Sequence, residues 1–280
     1  MDTKDCSRSL NLPPFRGRVA ASAATPAFLA AVSDCRKLLA GPDAEILLDG
    51  RNKVGAVTIR LDGERTSAVV IKEYYSHGID KLKSLFLPSK AAKAWRGAAA
   101  LIKGGLETPL PLAWLEERNH GFVRRSFFLA ERIFGGREIR HLLRELPQAE
   151  LRALLAALAG TLRLCHEQGI LHRDLSDGNI LVRREEGAAG RFHFYFLDTN
   201  RIRPGRTIGL PSCAKNLIRL GIPAADRRFF LEQYARAGGK APSRFFIFWY
   251  GLNKKIYTGY IGLKKKLKLK KLARTVRLQR

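Results

Sequence analysis

The sequence predicts an α+β chain in two lobes, a strand-rich first half and a helix-rich second half joined near residue 133. Between residues 46 and 75, three apolar runs (46–48, 54–61 and 68–71) are separated by Asp49-Gly50-Arg51-Asn52 and Asp62-Gly63-Glu64, the turn chemistry expected between strands. After Gly135-Gly136 the period changes. Residues 137–145 and 149–168 are helical, the second stretch rich in Ala and Leu and closed by Gly169. No internal repeat interrupts this progression.

The remaining elements follow in order. Residues 1 to about 24 are expected to be a loosely ordered extension, and Pro13, Pro14, Arg16, Arg18 and Pro26 interrupt the apolar residues of the N-terminus enough to make a poor signal peptide. Thr25-Pro26 supplies an N-cap and a first-turn proline for one helix through Ala40, stopped by Gly41-Pro42. Residues 89–103 form a helix with Ala91, Trp95, Ala98 and Ile102 on one face and Lys90, Lys93 and Arg96 displaced from it. Strands are expected near 112–115 and 122–130, a hairpin turning at 185–190, and helices over 213–220 and 224–237. The expected boundaries are 1–40 for an extension with one helix, 41–134 for the first lobe, 135–250 for the second and 251–280 for a basic tail.

At 280 residues, 46% of them hydrophobic, the chain can bury a substantial core. Its 51 basic against 25 acidic residues leave a net charge of +26, which calls for an anionic partner: nucleic acid, an anionic membrane surface or a phosphorylated substrate. Cys6, Cys35, Cys165 and Cys213 are too scattered for a zinc site or a disulfide framework and fit a reducing compartment. No run approaches the roughly 18 apolar residues that span a bilayer. The expected location is cytoplasmic, with contact to a membrane from that side.

One stretch carries chemistry. His172-Arg173-Asp174-Leu175-Ser176-Asp177-Gly178-Asn179 runs directly into the apolar Ile180-Leu181-Val182, and Phe196-Leu197-Asp198 ends another apolar strand. Phosphoryl transfer needs an Asp beside an acceptor hydroxyl, here Asp174, and oxygen ligands for Mg²⁺ at the nucleotide phosphates, here Asn179 and Asp198. Taken singly, Asp174 could be a helix-terminus residue and Asn179 a turn residue; the ordered set points to the chemistry. Lys72, at the end of Val69-Val70-Ile71, is placed to reach phosphates from a strand, against the alternative of a solvated lysine. Gly50-Arg51-Asn52-Lys53-Val54-Gly55 either covers phosphates, through backbone N–H groups and the Lys53 charge, or is a plain hairpin turn. His166 and Cys165 are expected to be packing residues, and His172 a structural residue of its loop.

Residues 251–280 hold eight Lys, three Arg and no acid, so +11 of the +26 lies there, directly after Phe245-Phe246-Ile247-Phe248-Trp249-Tyr250. Ile256, Tyr260, Leu263 and Leu267 fall on one helical face, though Leu267-Lys268-Leu269 also permits strand alternation. An apolar stripe with basic flanks suits an anionic membrane surface, and a solvated basic tail is the alternative. Nucleic acid is disfavoured, since the tail holds no recognisable nucleic-acid module.

The residues also match a known group. Ile71-Lys72-Glu73-Tyr74, Ser89-Lys90-Ala91 through Trp95-Arg96, Thr108-Pro109-Leu110-Pro111-Leu112-Ala113, Ser126-Phe127-Phe128-Leu129, the loop from His172 to Val182, Leu197-Asp198 with Arg201, and Asn216-Leu217-Ile218-Arg219-Leu220 carry the likeness. Over residues 69–237 the chain resembles the bacterial lipopolysaccharide kinase (Kdo/WaaP) family, itself similar to eukaryotic-type protein kinases. The resemblance implies a protein-kinase-like fold using ATP and Mg²⁺, and phosphorylation of a heptose or Kdo hydroxyl on the lipopolysaccharide inner core or a lipid A-core acceptor. It implies that this occurs at the inner face of the inner membrane. It makes Lys72 a phosphate-binding residue, Asp174 the catalytic Asp, Asn179 and Asp198 the metal ligands, and residues 131–134, with Glu131 and Ile133, the hinge facing adenine. Three departures stand out: residues 89–103 hold no acid to pair with Lys72, Asp198-Thr199-Asn200 replaces Asp-Phe-Gly, and no Ala-Pro-Glu follows. Lys72 must then pair with Asp198, with nucleotide phosphate or with a group not identified by sequence. A protein Ser/Thr or Tyr kinase and a pseudokinase scaffold are the alternatives to a glycolipid kinase.

Overall fold

The computed structural model describes residues 7–277 except 51, 63–64, 186–190, 206, 240 and 242, and the side chains of those described residues except 62 and 267–277. The first half comprises β1 (Ser7–Leu12), β2 (Phe15–Ala20), α1 (Pro26–Val32), α2 (Cys35–Ala40), β3 (Glu45–Asp49), β4 (Lys53–Asp62), β5 (Arg65–Tyr75), α3 (Ile79–Lys83), α4 (Lys90–Lys103), β6 (Pro111–Asn119) and β7 (Phe122–Glu131). Its strands form one antiparallel seven-stranded sheet in the order β1-β2-β6-β7-β5-β4-β3. The turn expected at 62–64 lies partly outside the described residues.

The expectation of a loosely ordered N-terminus is corrected by β1 and β2. Pro13-Pro14 is the turn of a hairpin, and in β2 the buried Phe15 and Val19 alternate with the less buried Arg16 and Arg18. Phe15 meets Phe127 edge-to-face at 5.6 Å between ring centroids. A Cβ on Gly17 would lie 1.8 Å from the Trp114 carbonyl oxygen, so glycine is what lets β2 lie against β6. The single helix expected over residues 26–40 is two, because Asp34 accepts a hydrogen bond from Lys37 N–H at 3.0 Å and caps a new helix. Both helices cover one face of the sheet, where Phe28, Val32 and Leu39 pack with Val57, Ile59, Ile71 and Leu129.

The second half comprises β8 (Arg137–Glu138), α5 (Ile139–Glu145), α6 (Gln148–Glu167), β9 (Ile170–His172), β10 (Ile180–Arg184), β11 (Phe192–Phe196), β12 (Ile202–Pro204), α7 (Leu210–Leu217), α8 (Arg227–Arg236) and α9 (Arg244–Arg277). Two small sheets, β11-β10-β8 and β12-β9, sit among these helices. A second core forms here around α6, whose Leu151, Leu154, Leu155, Leu158 and Leu162 are buried at helical spacing. Leu101 of α4 belongs to this second core although α4 is bounded by strands of the first sheet. The architecture is thus a mixed fold with a strand-rich N-terminal sheet and a helical C-terminal region.

The buried face of α4 differs from the one expected. Ala91, Ala94, Ala98 and Leu101 are buried, whereas Ile102 is exposed and Trp95 only partly covered. The expected boundary at 250–251 falls inside α9, which continues the aromatic run into the basic tail. Phe246 stacks on Tyr234 at 5.5 Å, and Lys254 Nζ donates to the Ile218 and Leu220 carbonyls at 2.6 and 2.8 Å. Cys35, Cys165 and Cys213 are free and buried; Cys6 lies outside the described residues.

If the N-terminal hairpin is part of the core, Phe15→Ala should cost about 3–5 kcal/mol of unfolding free energy, read as a fall in the urea midpoint. A midpoint equal to wild type would show that β1 and β2 contribute nothing to stability.

Candidate active site

The loop between β9 and β10 is built around one imidazole. The Leu197 carbonyl can only accept, so His172 Nε2–H donates to it at 2.7 Å, which leaves Nδ1 to accept the Asp174 N–H at 3.2 Å. His172 therefore ties the segment bearing Asp174 to the one bearing Asp198. Burial lowers its pKa, in keeping with the neutral ring this geometry requires. Leu175 and Ile180, both buried, pin the loop to the core on either side.

Asn179 Nδ2 donates to the Asp174 carbonyl at 2.8 Å, which fixes the amide and leaves Oδ1 available to a cation. Leu197 N–H donates to the Asn179 carbonyl at 2.9 Å, bringing Asn179 and Asp198 onto adjacent strand ends. Asp198 has φ 54°, the left-handed region that Asp tolerates better than most residues. Its carboxylate pairs with Lys72 Nζ, which also lies over the Tyr74 ring at 5.3 Å. Asp174 is held on both oxygens, by Arg219 Nη2 at 2.6 Å and Arg201 Nη1 at 3.1 Å.

The acid-free α4 comes close to this region. Thr199 Oγ1 donates to the Ala94 carbonyl at 2.8 Å, and a Cβ on Gly97 would lie 2.0 Å from the Thr199 carbonyl oxygen. Close approach selects small residues on this face, which is why Ala94 and Ala98 rather than Trp95 and Ile102 are buried. With no carboxylate on α4, Lys72 finds its partner in Asp198.

The glycine-rich segment spans the β3–β4 turn and the start of β4. Val54 is the cross-strand partner of Lys72, whereas Lys53 pairs with Glu73 and Gly55 with Ile71. By strand alternation, Lys53 and Gly55 belong to the opposite face from Lys72, and a Cβ on Gly55 would meet Leu39 of α2 at 2.7 Å. The Lys53 side chain is therefore not brought to the Lys72 face. Gly50 lies in the β3–β4 turn, where an added Cβ would meet nothing within 4 Å; Arg51 is outside the described residues. Glu131 ends β7, and Ile133 lies on the connection to β8, where Gly136 packs beneath its side chain.

Comparison with known proteins follows this geometry. The sequence profile described as "Lipopolysaccharide kinase (Kdo/WaaP) family" matches residues 65–236, more than half of the chain. The chain belongs to that family. Among solved structures it is similar to "WaaP in complex with acyl carrier protein", with a TM-score of 0.52 and 18% identity over 77% of this chain and 88% of that one. Comparison with curated proteins gave no match. The Kdo/WaaP family consists of lipopolysaccharide kinases, which places the chain among phosphotransferases acting on lipopolysaccharide. Strands β1 to β4 and helix α9 lie outside the matched segment.

The contacts of Arg219 and Asn216 could not be read from the sequence, although residues 216–220 carry part of the family likeness. Arg219, which holds Asp174, follows α7, 45 residues beyond it in the chain. Asn216 on α7 donates from Nδ2 to the His172 carbonyl at 2.9 Å, so its Oδ1 takes the proton of His166 Nε2 at 2.9 Å. His166 Nδ1 then accepts the Tyr234 hydroxyl at 2.7 Å. The packing residue expected at 166 is thus the centre of a polar relay from α8 to the loop that carries Asp174. Burial, aided by Arg163 and opposed by the Asn216 bond, lowers His166 from 6.5 to about 4.

The sign of the pH effect follows. Between about pH 6.5 and 4 the unfolded chain binds a proton that folded His166 refuses, so stability falls as pH falls through that window. By about pH 4.5 this one group should remove about 2–3 kcal/mol. His166→Gln should therefore show a shallower loss of urea-measured stability between about pH 7 and 4.5, by that amount. A slope identical to wild type would rule out a His166 held neutral by burial.

Proposed function

We propose that this protein transfers the γ-phosphoryl group of ATP to a heptose or Kdo hydroxyl of the lipopolysaccharide inner core. The observation that carries the reading is the convergence of Lys72, Asp174, Asn179 and Asp198 around the His172 bridge. Asp174, oriented by two arginines, aligns the acceptor hydroxyl and takes its proton as the oxygen attacks the γ-phosphorus. The bond to the bridging oxygen breaks and ADP leaves. Lys72 reaches the phosphates from β5, and the main chain of Glu131 to Ile133 faces adenine.

Asn179 Oδ1 and the Asp198 carboxylate would hold Mg²⁺, which supplies charge neutralisation at the phosphates. One or two protein oxygens supplemented by phosphate and water suit Mg²⁺. No trio of His, Cys, Asp or Glu forms a metal cluster among the described residues. The solved WaaP structure holds acyl carrier protein, and a carrier of that kind is a candidate partner here too.

A peripheral position on the inner face of the inner membrane completes the proposal. No helix of the described residues is long and apolar enough to cross a membrane. On α9, Phe245, Phe248, Leu252, Ile256, Tyr260 and Leu263 recur every three or four residues and are all exposed. At 100° per residue they share one stripe, flanked by Lys255, Lys264 and Lys266. A stripe of this kind lies along an anionic interface, each lysine adding about 1 kcal/mol.

Asp174→Asn should lower Mg²⁺-dependent transfer from ATP to purified lipopolysaccharide core by about 10²–10⁴-fold while ATP still binds. Undiminished transfer in the variant, or wild type that labels no sugar, would overturn the proposal. Separately, an Ile256→Glu, Leu263→Glu double variant should bind anionic vesicles at least about tenfold more weakly, with transfer to a lipid-free core fragment retained. Equal vesicle binding would remove α9 as the membrane contact.

A further inference from the structure

Beside Asp174 lies a cavity of about 530 Å³ lined by Lys93, Arg173, Asn200, Arg201, Ile202 and Arg203. Its size falls within the roughly 300–1,000 Å³ of small-molecule sites, but its chemistry is unlike most of them. Four of the six lining residues are cationic and none is acidic.

The fold itself gathers these charges. β9 and β12 pair with Ile202 opposite His172 and Arg203 opposite Leu171, and Arg173 N–H donates to the Arg201 carbonyl at 3.3 Å. Arg173 and Arg201 are therefore cross-strand neighbours, and Arg201 and Arg203 alternate onto the same face of the ribbon. His172 and Ile202 belong to the other parity, where both are buried. Lys93 joins them from α4, held there by the packing of Gly97 on Thr199. Like charges placed opposite one another are destabilising in a sheet, so the arrangement needs an anion to offset it.

The described residues provide little of that anion. Asp174 touches Arg201 but is shared with Arg219, and Asp80, whose field reaches Lys93, pairs with Lys90 at 2.8 Å. Burial and the charges of Lys90, Arg203 and Lys83 together pull the Lys93 ammonium below its usual pKa, against the opposing effect of Asp80.

We propose that this cavity binds an anionic substituent, phosphate or carboxylate, carried by the acceptor sugar, and so seats the acceptor hydroxyl at Asp174. The inference rests on the kinase reading above and adds the requirement that the acceptor be already charged when it arrives. A guanidinium cluster suits bidentate contact with either oxyanion, and the Arg201 link to Asp174 puts the cluster next to the reacting centre. In reaction order, the step that installs the acid sugar or an earlier phosphate must come before this one.

The test uses Lys93→Gln, Arg203→Gln in the full chain, since neither residue touches the reacting groups. Inorganic phosphate should raise the melting temperature of wild type saturably over chloride at matched ionic strength, and this shift should be lost in the double variant. In the transfer assay the variant's KM for lipopolysaccharide core should rise about tenfold, with kcat and the KM for ATP within about twofold. Phosphatase-treated core and carboxyl-reduced core then distinguish the sources: whichever treatment removes the wild-type advantage identifies the anion. Phosphate binding lost in the variant with unchanged acceptor KM would overturn the acceptor assignment and point to another phosphorylated ligand. No phosphate effect and equal KM values would overturn the site altogether while transfer by both proteins left the kinase reading standing. Absence of transfer by wild type would sink the kinase reading, and with it the acceptor assignment, whatever phosphate does.

Discussion

The site depends on a neutral imidazole with both nitrogens committed. His172 donates to the Leu197 carbonyl and accepts from the Asp174 amide, so a single ring sets the spacing between the segment bearing Asp174 and the one bearing Asp198. Protonation would place a second N–H against the Asp174 N–H and force the two strands apart. Burial works against that protonation. The same logic recurs one layer out at His166, whose two nitrogens connect Tyr234 on α8 to Asn216 on α7 and from there to the His172 carbonyl. Two neutral histidines in series thus couple the helical core to the loop. This positioning resists thermal motion because every member is hydrogen-bonded and His166, His172 and Tyr234 are buried.

The second constraint is steric. α4 lies so close to the turn after Asp198 that only glycine fits at position 97 and small residues fit around it. That contact explains how the site keeps its shape without a carboxylate on α4. In place of an ion pair running from helix to strand, the helix is fixed by Thr199 against Ala94 and the lysine by Asp198. On the function proposed above, a nucleotide that drew Lys72 toward its phosphates would free the Asp198 carboxylate for a cation.

What could be read from the sequence was whatever is local. Asp174 and Asn179 lie five apart in one loop, and Asp198 closes the neighbouring strand of a hairpin, so their grouping follows from chain connectivity. The face that Lys53 and Gly55 occupy could not be read from the sequence because strand register is not local. Whether a residue shares a face with Lys72 depends on pairing Val54, and not Lys53, against it, and a shift by one reverses every side chain. The alternation of Phe15, Gly17 and Val19 was present in the sequence, but prolines and arginines in an edge hairpin resemble those of a disordered leader. On α4 the helical period was correct and the face was wrong, since periodicity registers hydrophobicity and not how near a neighbour comes. Arg219 and Asn216 reach the loop only through tertiary packing of α7.

The charge surplus has a geometry that composition alone does not reveal. Many of the acids are engaged with arginines at the surface, as in the pairs of Glu45 with Arg132, Glu145 with Arg137, and Glu150 with Arg184. Exposed pairs of this kind add little stability, but they neutralise much of the ordinary surface. The excess is consequently concentrated where acids are missing, in the cavity beside Asp174 and along α9. An amphiphilic acceptor with an anionic sugar head in an anionic membrane presents negative charge at both levels. A chain that met only a soluble nucleotide would need the first cluster and have no use for the second; a nonspecific membrane binder would need the reverse. Both occur in one fold, with the first cluster linked through Arg201 to Asp174. That pairing is the physical reason to favour a charged glycolipid over a protein side chain as the acceptor.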